Sequence, residues 1–191
     1  MKSELIDFRN FIIEAETKPA QLKQTPLNYS RESLDPVLSK DTMDYHYGKL
    51  YKTYVDRYNS KEGDRDFNEA GAYLHSLYFS QFREPRGTNK PTGITLEFIE
   101  KHFKSWDNFK NEFEKVAMTI QGSGWVYLSR NGQLKTIKNH QIKNDIVILI
   151  DWWEHAWALD YQADKAKYLK NIWRIIDWTI INTRIADLYT R

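Results

Sequence analysis

The hydrophobic pattern of this chain changes from a helical to an extended period near residue 124, and this change constrains the fold most. Upstream, apolar residues recur at helical spacing, whereas downstream they form short extended segments. The dipeptide Asn131-Gly132 separates the segments WVYLSR and QLKTIKN, and Asn-Gly is the strongest two-residue signal for a β-hairpin turn. The next segment, DIVILID, is apolar between its aspartates, as a strand buried on both faces is. We therefore predict a helical first half and a second half that contains three strands.

The helical half begins with two helices joined by a short charged turn. The first helix is predicted from Ser39 or Lys40 to Tyr58, and Ser39 or Asp41 can cap its start. The turn SKEGDRD follows, and the segment FNEAGAYLHSLYFSQF has the pattern of the second helix. Two helices with so short a connection form an antiparallel hairpin.

A boundary follows the hairpin in the segment REPRGTNKPTG, which holds two prolines and two glycines. After it come two helices broken near Ser105 to Asp107, then the strands, then helix in KAKYLKNIWRIIDWTIINTRIADLY. The predicted fold class is α+β. We assign residues 1–26 to a helical N-terminal extension, 27–88 to an α-hairpin domain and 89–191 to an α/β domain.

Composition excludes several classes of function. The chain contains no cysteine, so disulfides, thiolate metal sites and thiol catalysis are excluded, and any metal must be held by His, Asp or Glu. A net charge of +2 without a basic cluster predicts no nucleic-acid partner, although a mild positive field favours a small anionic substrate. No segment is long and apolar enough to span a bilayer, and the charged, amphipathic N-terminus differs from a signal peptide. We therefore expect no membrane partner and a cytoplasmic location.

Candidate metal ligands lie in three segments of the chain. His46 and His75 belong to the two hairpin helices and can face each other across the seam between them. Asp151 and His155 follow at the end of the third strand. Three imidazoles and one carboxylate suit iron or manganese, and zinc takes the same ligand types. Each residue taken alone is more often a core or surface residue than a ligand, and periodicity does not show that the three segments converge.

Four segments, in this order, resemble the iron/manganese superoxide dismutase family: MDYHYGKLYKTYV, FNEAGAYLHSLYF, GSGWVYL and DWWEHAWALDY. With LNYSRESLDPVLS before them and YLKNIWRIIDW after them, the resemblance runs from about Leu27 to Trp178. It implies an N-terminal antiparallel α-hairpin domain, a C-terminal α/β domain with a three-stranded antiparallel sheet, and a metal between them. The ligands implied by these motifs are His46, His75, Asp151 and His155. They would hold one iron or manganese ion per subunit, with iron slightly favoured.

The same resemblance gives roles to residues around the metal. Tyr54 matches the family's gateway tyrosine, and Trp125 and Trp153 match rings that shield the metal. The family places a Gln or His beside the solvent ligand of the metal, and His140 or Gln141 can take that place here. Likeness to archaeal-type members favours His140. Packing is the alternative role for the three aromatic residues.

The chain also departs from the family's pattern. Bacterial iron-type members have a Gln four residues before the second ligand, where this chain has Gly71. A His and a Tyr that meet across the family's dimer are replaced by Leu50 and Ala158, so both members of that polar pair are missing. Glu154, which in the family reaches the partner's ligand His, is present, and Lys165 keeps a positive charge near the entrance.

The resemblance implies an enzyme, a superoxide dismutase that converts superoxide to oxygen and hydrogen peroxide. The alternative is a metal-binding or structural protein that keeps the dismutase fold without turnover. We expect a homodimer rather than a tetramer, because tetrameric members pack the tips of their hairpins together. The tip here, YNSKEGDRD, is short and dominated by charge, which the core of an interface normally lacks.

Overall fold

The structure, a computed structural model, describes residues 21–187. Its helices are α1 Lys40–Tyr45, a π-helical segment His46–Tyr51, α2 Lys52–Ser60, α3 Arg65–Ser80, α4 Gly93–Phe103, α5 Trp106–Met118, α6 Ala158–Tyr161, α7 Lys165–Ile172 and α8 Trp178–Ala186. Two 3-10 turns span Glu154–Ala156 and Trp173–Ile175, and the strands are β1 Gly124–Ser129, β2 Leu134–Lys138 and β3 Ile146–Asp151. The N-terminal extension, residues 1–26, was predicted to be helical. Residues 1–20 lie outside the described residues, and residues 21–26 form no helix.

The predicted α-hairpin is confirmed. Its first arm is a continuous helical rod made of α1, the π-helical segment and α2, and its second arm is α3. Ser39 caps the rod, because its Oγ accepts a hydrogen bond from the backbone N of Thr42 at 3.1 Å. The rod ends at Ser60, slightly beyond the predicted end, and Lys61 then takes a left-handed conformation with φ of 60°. After the short turn Asp64 caps the start of α3.

The middle of the first arm is wound as a π-helix, a winding that the predicted helix did not specify. In an α-helix the residue four positions after His46 shares its face, and that residue is Leu50. The wider π-helical turn instead brings the fifth residue, Tyr51, to the buried face, where it is 1% exposed, while Leu50 is half-buried. The helix was predicted but its winding was not, and the winding decides which side chain follows His46 into the core.

The three-stranded antiparallel sheet is also confirmed, with the order β2-β1-β3. Every residue of β3 is buried, as its apolar run predicted. Trp125, near the start of β1, pairs with Asp151 at the end of β3. This register brings the tryptophan and the aspartate to the same end of the sheet, next to the helical hairpin.

One edge of the sheet is covered by a polar cluster that we call the edge knot. The amide of Gln81 donates to the carbonyl of Leu149 in β3, and its oxygen accepts from the backbone N of Leu149 at 3.2 Å. The guanidinium of Arg184 donates to the carbonyl of Val147 at 3.0 Å and to the Gln81 oxygen at 3.1 Å. It also bonds two acceptors at the C-terminal end of α3, Leu77 O and Ser80 Oγ. The knot explains how an edge strand can be buried, since side chains satisfy its free backbone groups.

The remaining helices pack around the sheet in one shared core. The predicted break between α4 and α5 is present: Lys104 has a φ of 70°, and the Oγ of Ser105 caps α5. The segment predicted as C-terminal helix divides into α7, a 3-10 turn and α8, because Ile176 is extended and Asp177 caps a new helix. No helix within residues 21–187 combines the length and apolar character that crossing a membrane requires. Both predicted domains contribute residues to this shared core. The residue limits given for the domains remain predictions from the sequence.

Candidate metal centre

Four elements bring the predicted ligands together. His46 opens the π-helical segment, His75 lies in the third turn of α3, Asp151 ends β3, and His155 lies in the 3-10 turn that follows. One ligand atom from each of the four lies within 4.8 Å of the others. His46, His75 and Asp151 are fully buried, and the side chain of His155 is 12% exposed. The convergence that periodicity alone did not predict is therefore present.

The geometry of the four atoms fits a metal ion. The Oδ2 of Asp151 lies 3.2 Å from Nε2 of His46, 3.7 Å from Nε2 of His75 and 3.4 Å from Nε2 of His155. Two ligands with bonds of about 2.1 Å to one ion lie about 3.0 to 3.6 Å apart at angles of 90° to 120°. None of these four atoms has a hydrogen-bond partner within residues 21–187. Buried polar atoms without partners are destabilising by about 1–3 kcal/mol each, and a shared cation would remove that cost.

Hydrogen bonds orient two of the four side chains. The Nδ1 of His75 lies 2.7 Å from the carbonyl of Gly71, one helical turn earlier, so Nδ1 carries the hydrogen and the Nε2 lone pair faces the cluster. The Oδ1 of Asp151 accepts from the backbone N of Trp153 at 2.8 Å, and the carbonyl of Asp151 accepts from the Tyr168 hydroxyl at 3.1 Å. These bonds leave the other carboxylate oxygen, Oδ2, free to face the imidazoles.

The electrostatics of the cluster favour the protonation states that a cation needs. Burial lowers the pKa of His46 to about 4, and burial together with the neighbouring His46 lowers the pKa of His75 well below its ordinary value. Burial by itself would raise the pKa of Asp151, but the adjacent imidazoles, His155 foremost, outweigh burial and hold that pKa below its usual range. Neutral imidazoles and an ionised carboxylate are the forms that bind metals.

His140 stands beside the cluster in a box of four aromatic rings. Its ring stacks on Trp153 at 4.6 Å and 13°, and the rings of Phe67 and Tyr54 lie at 4.7 and 4.9 Å. The indole Nε1 of Trp125 donates to its Nδ1 at 3.2 Å. Because an indole N–H only donates, the neutral imidazole must carry its hydrogen on Nε2, which has no partner in the described part of the chain. This leaves a buried N–H donor beside the candidate ligands.

Gln141, the other candidate for the position beside the metal, lies outside this box. Its side chain is exposed, whereas His140 is 6% exposed. Both residues line a cleft of about 510 Å³, together with Asp64, Asp66, Phe67, Glu69, Ala70, Lys138, Asn139 and Ile142. The cleft lies between the hairpin tip and the loop that carries His140.

Tyr54 lies against the second ligand, His75, and its ring packs closely on Gly71. The Tyr54 ring is 5.2 Å from the ring of His75, and a Cβ atom at Gly71 would come within 2.9 Å of the Tyr54 ring. Any side chain at this position would therefore require the Tyr54 ring to shift from the place it takes here. Burial, with a smaller effect of Asp151, raises the pKa of Tyr54 to about 12, so its hydroxyl keeps its proton near neutral pH.

The remaining predicted residues lie at or near the surface. Glu154 is exposed, and Leu50 and Ala158 are half-buried. The ammonium of Lys165 lies over the ring of Trp157 at 5.2 Å. Their predicted roles depend on a partner subunit or on substrate approach and remain predictions.

Several aromatic residues of the site were not predicted from the sequence, among them Phe67, Tyr78 and Tyr51. Phe67 precedes His75 by eight residues, which is two helical steps of four, so its place on the same face could have been predicted. Tyr78, at 5.4 Å from the ring of His46, follows His75 by three residues on the same helix. Tyr51 stacks on His75 at 5.7 Å and 16°, and an α-helical reading conceals it because its place depends on the π-helical winding.

The fold and the site together define a class of protein: an α-hairpin domain and an α/β domain with three imidazoles and one carboxylate converging between them. Residues 21–67 match the family model described as iron/manganese superoxide dismutases, alpha-hairpin domain. Residues 91–184 match the model described as iron/manganese superoxide dismutases, C-terminal domain. The chain belongs to the iron/manganese superoxide dismutase family.

Individual relatives agree with this assignment. The chain is 39% identical over 184 residues to the superoxide dismutase [Mn/Fe] of Porphyromonas gingivalis, and the match covers 83% of this chain and 96% of that protein. It is 36% identical over 186 residues to the superoxide dismutase [Fe] of Bacteroides fragilis, with 83% and 96% covered. It is 30% identical over 202 residues to the superoxide dismutase [Mn] of Acinetobacter baylyi, with 88% and 89% covered. The similarity thus extends over most of each chain and includes relatives named for iron, manganese or both.

Proposed function

We propose that this protein is a superoxide dismutase that converts two superoxide anions and two protons to oxygen and hydrogen peroxide. The observation that carries the proposal is the convergence of four buried ligand atoms without hydrogen-bond partners among the described residues, in a chain of this family. His46, His75, Asp151 and His155 would hold one iron or manganese ion. The chemistry that such an ion supplies is one-electron transfer, from one superoxide and to the next.

The residues around the ligands would bind substrate, hold protons and exclude water. The Nε2–H of His140 and the hydroxyl of Tyr54 are two protonated groups whose rings lie 5.8 and 5.2 Å from that of His75. Trp125 is fully buried and Trp153 half-buried, so their rings limit the access of water to the ligands. Tuning of a metal by groups that contact its ligands is general in metalloenzymes.

The choice of metal follows from the relatives only to the level of iron or manganese. Both metals appear in the names of proteins that are 30–39% identical to this chain. The slight preference for iron, like the cytoplasmic location, remains a prediction from sequence.

We infer a homodimer. Glu154 is exposed, and the side chain of His155 is 12% exposed although its Nε2 faces the cluster. In a homodimer, Glu154 of one subunit would contact His155 of the other, and both residues must then be accessible at the surface of a single chain. The hairpin tip exposes Lys61, Glu62, Asp64, Arg65 and Asp66, which offers little apolar surface for a tetramer. Light scattering at micromolar protein should give the mass of two chains. A tetramer would contradict the argument from the tip, and an active monomer would contradict the role of Glu154.

Reconstitution tests the function. Protein stripped of metal with a chelator should not accelerate superoxide decay, and reloading it with iron or manganese should restore activity in proportion to the metal bound. Zinc, which takes the same ligand types without redox chemistry, provides the control and should bind without activity. Stoichiometric iron or manganese without turnover would favour the alternative, a metal-binding protein that keeps the dismutase fold.

A further inference from the structure

Thr25 is a hydrogen-bonding centre outside the helical hairpin. Its backbone N donates to the hydroxyl of Tyr51 at 3.0 Å, and that hydroxyl donates to the Thr25 Oγ1 at 3.3 Å. The same Oγ1 bonds Ser76 Oγ at 2.6 Å, and the Thr25 carbonyl accepts from the Tyr47 hydroxyl at 2.8 Å. Every polar group of this threonine is therefore bonded to one of the two arms of the hairpin.

The partners of this threonine lie directly beside the two hairpin ligands. Tyr47 follows His46 in the π-helical segment, and Ser76 follows His75 in α3. Tyr51 belongs to the first arm but stacks on the ligand ring of the second, at 5.7 Å and 16° from His75. Thr25 thus links the two arms through residues that directly follow the ligands His46 and His75.

A bridge at this level has a physical consequence for the ligands. The rings of His46 and His75 are 5.0 Å apart, and a metal ion requires this spacing to be kept within a few tenths of an ångström. Packing between α2 and α3 holds the arms together towards the tip of the hairpin, and the π-helical segment packs on α3 beside the ligands. The hydrogen bonds through Thr25 add a directional polar link at this second level. Groups that contact ligands fix their orientation and affect metal affinity.

We propose that Thr25 is a positioning residue that holds the two hairpin ligands at the spacing a metal ion needs. The proposal rests on the proposed metal site. A purely structural role would be to anchor residues 21–30 to the hairpin. Those residues have other anchors: the side chain of Asn59 pairs with both backbone groups of Leu22, at 2.8 and 2.9 Å, and the Tyr29 hydroxyl donates to the Phe79 carbonyl at 2.9 Å. Asn59 therefore provides a matched control away from the ligands.

The test compares Thr25→Val, Thr25→Ser and Asn59→Ala as iron(III)-loaded proteins. Valine keeps the shape of the side chain without Oγ1, serine keeps the oxygen, and the asparagine variant loses two bonds to the same segment. Two properties of the bound iron are measured: its electron paramagnetic resonance spectrum, which reports ligand symmetry, and its rate of release to EDTA. Thermal unfolding of the metal-free proteins measures anchoring separately.

We expect Thr25→Val to change the spectrum and to release iron about 10-fold faster, at the lower end of effects seen for groups that orient ligands. Thr25→Ser should restore both properties, and Asn59→Ala should lower thermal stability without changing either. If Thr25→Val folds poorly, Tyr51→Phe takes its place in the test. This variant keeps the stacked ring but loses the hydroxyl, and it should show the same changes in spectrum and iron release. An unchanged spectrum and release rate in Thr25→Val would overturn the proposal and leave the dismutase assignment intact. A wild-type protein that binds neither iron nor manganese would overturn both.

Discussion

Two polar clusters contact β3, and they differ in one respect. In the edge knot, Arg184 and Gln81 satisfy each other and the backbone of β3 through hydrogen bonds of 3.0 to 3.2 Å. At the end of the same strand, Asp151 faces three imidazoles at similar distances, yet the four facing atoms have no hydrogen-bond partner in the described part of the chain. The first cluster is complete as folded, and the second is complete only with a ligand.

This difference separates a polar group that stabilises the fold from one that serves function. A satisfied network adds to stability and needs nothing from outside the chain. A converging set of unpartnered atoms is destabilising by itself, and proteins retain such sets at functional sites. The comparison predicts that damage to the two clusters has opposite consequences for stability and metal binding.

The largest effect is expected for the ligand cluster. His75→Ala removes one of four protein ligands, so the purified protein should contain almost no iron or manganese and should not dismutate superoxide. His102→Ala is the matched control, because His102 is an exposed histidine on α4. Metal analysis and a superoxide-decay assay measure both variants, with circular dichroism to verify the fold. Full activity in His75→Ala would sink the assignment of the site.

The edge knot should respond in the opposite way. Arg184→Met keeps an apolar stem but removes every donor, which leaves the carbonyls of Val147 and Leu77 without this partner. We expect a loss of about 3 kcal/mol in the free energy of unfolding, with unchanged metal per folded chain. Arg57→Met, which removes an exposed arginine 3.7 Å from Glu62, should cost less than about 1 kcal/mol. Urea denaturation and metal analysis separate the two properties. Metal loss that equals that of His75→Ala would abolish the distinction between the clusters.

A smaller effect is expected beside the ligand cluster. Tyr54→Phe keeps the ring that packs against Gly71 and His75 but loses the hydroxyl. Metal content should stay the same, while turnover falls about 10-fold or product inhibition changes, as is typical for groups next to metal ligands. Stopped-flow kinetics over a range of superoxide concentrations measure this. Identical kinetics at every concentration would reduce Tyr54 to a packing residue.

Much of the fold was predictable because local patterns agree with it. The Asn131-Gly132 turn, the apolar β3 and the short charged hairpin turn each indicated the element that the structure contains. The candidate ligands could be selected by residue type and by family resemblance. The second helix was predicted to begin at Phe67, whereas α3 begins two residues earlier at Arg65, behind the cap Asp64.

Other features depend on contacts between distant segments and could not be predicted from local pattern. The π-helical winding that buries Tyr51 has no periodic signal in the sequence. The choice of His140 over Gln141 for the aromatic box depends on the Trp125 indole and the stacked ring of Trp153. The bonds of Thr25 to both arms join residues up to 51 positions apart. Each of these is decided by tertiary packing.

The central claim is that the four unpartnered atoms share one redox-active metal ion, and anomalous X-ray diffraction from crystals of the purified protein tests it most directly. Data collected on both sides of the iron and manganese absorption edges locate each element by its own signal. We predict one peak, of iron or manganese, about 2.1 Å from Nε2 of His46, His75 and His155 and from one carboxylate oxygen of Asp151. A density map without a peak among these atoms, or with a peak only at the zinc edge, would contradict the account.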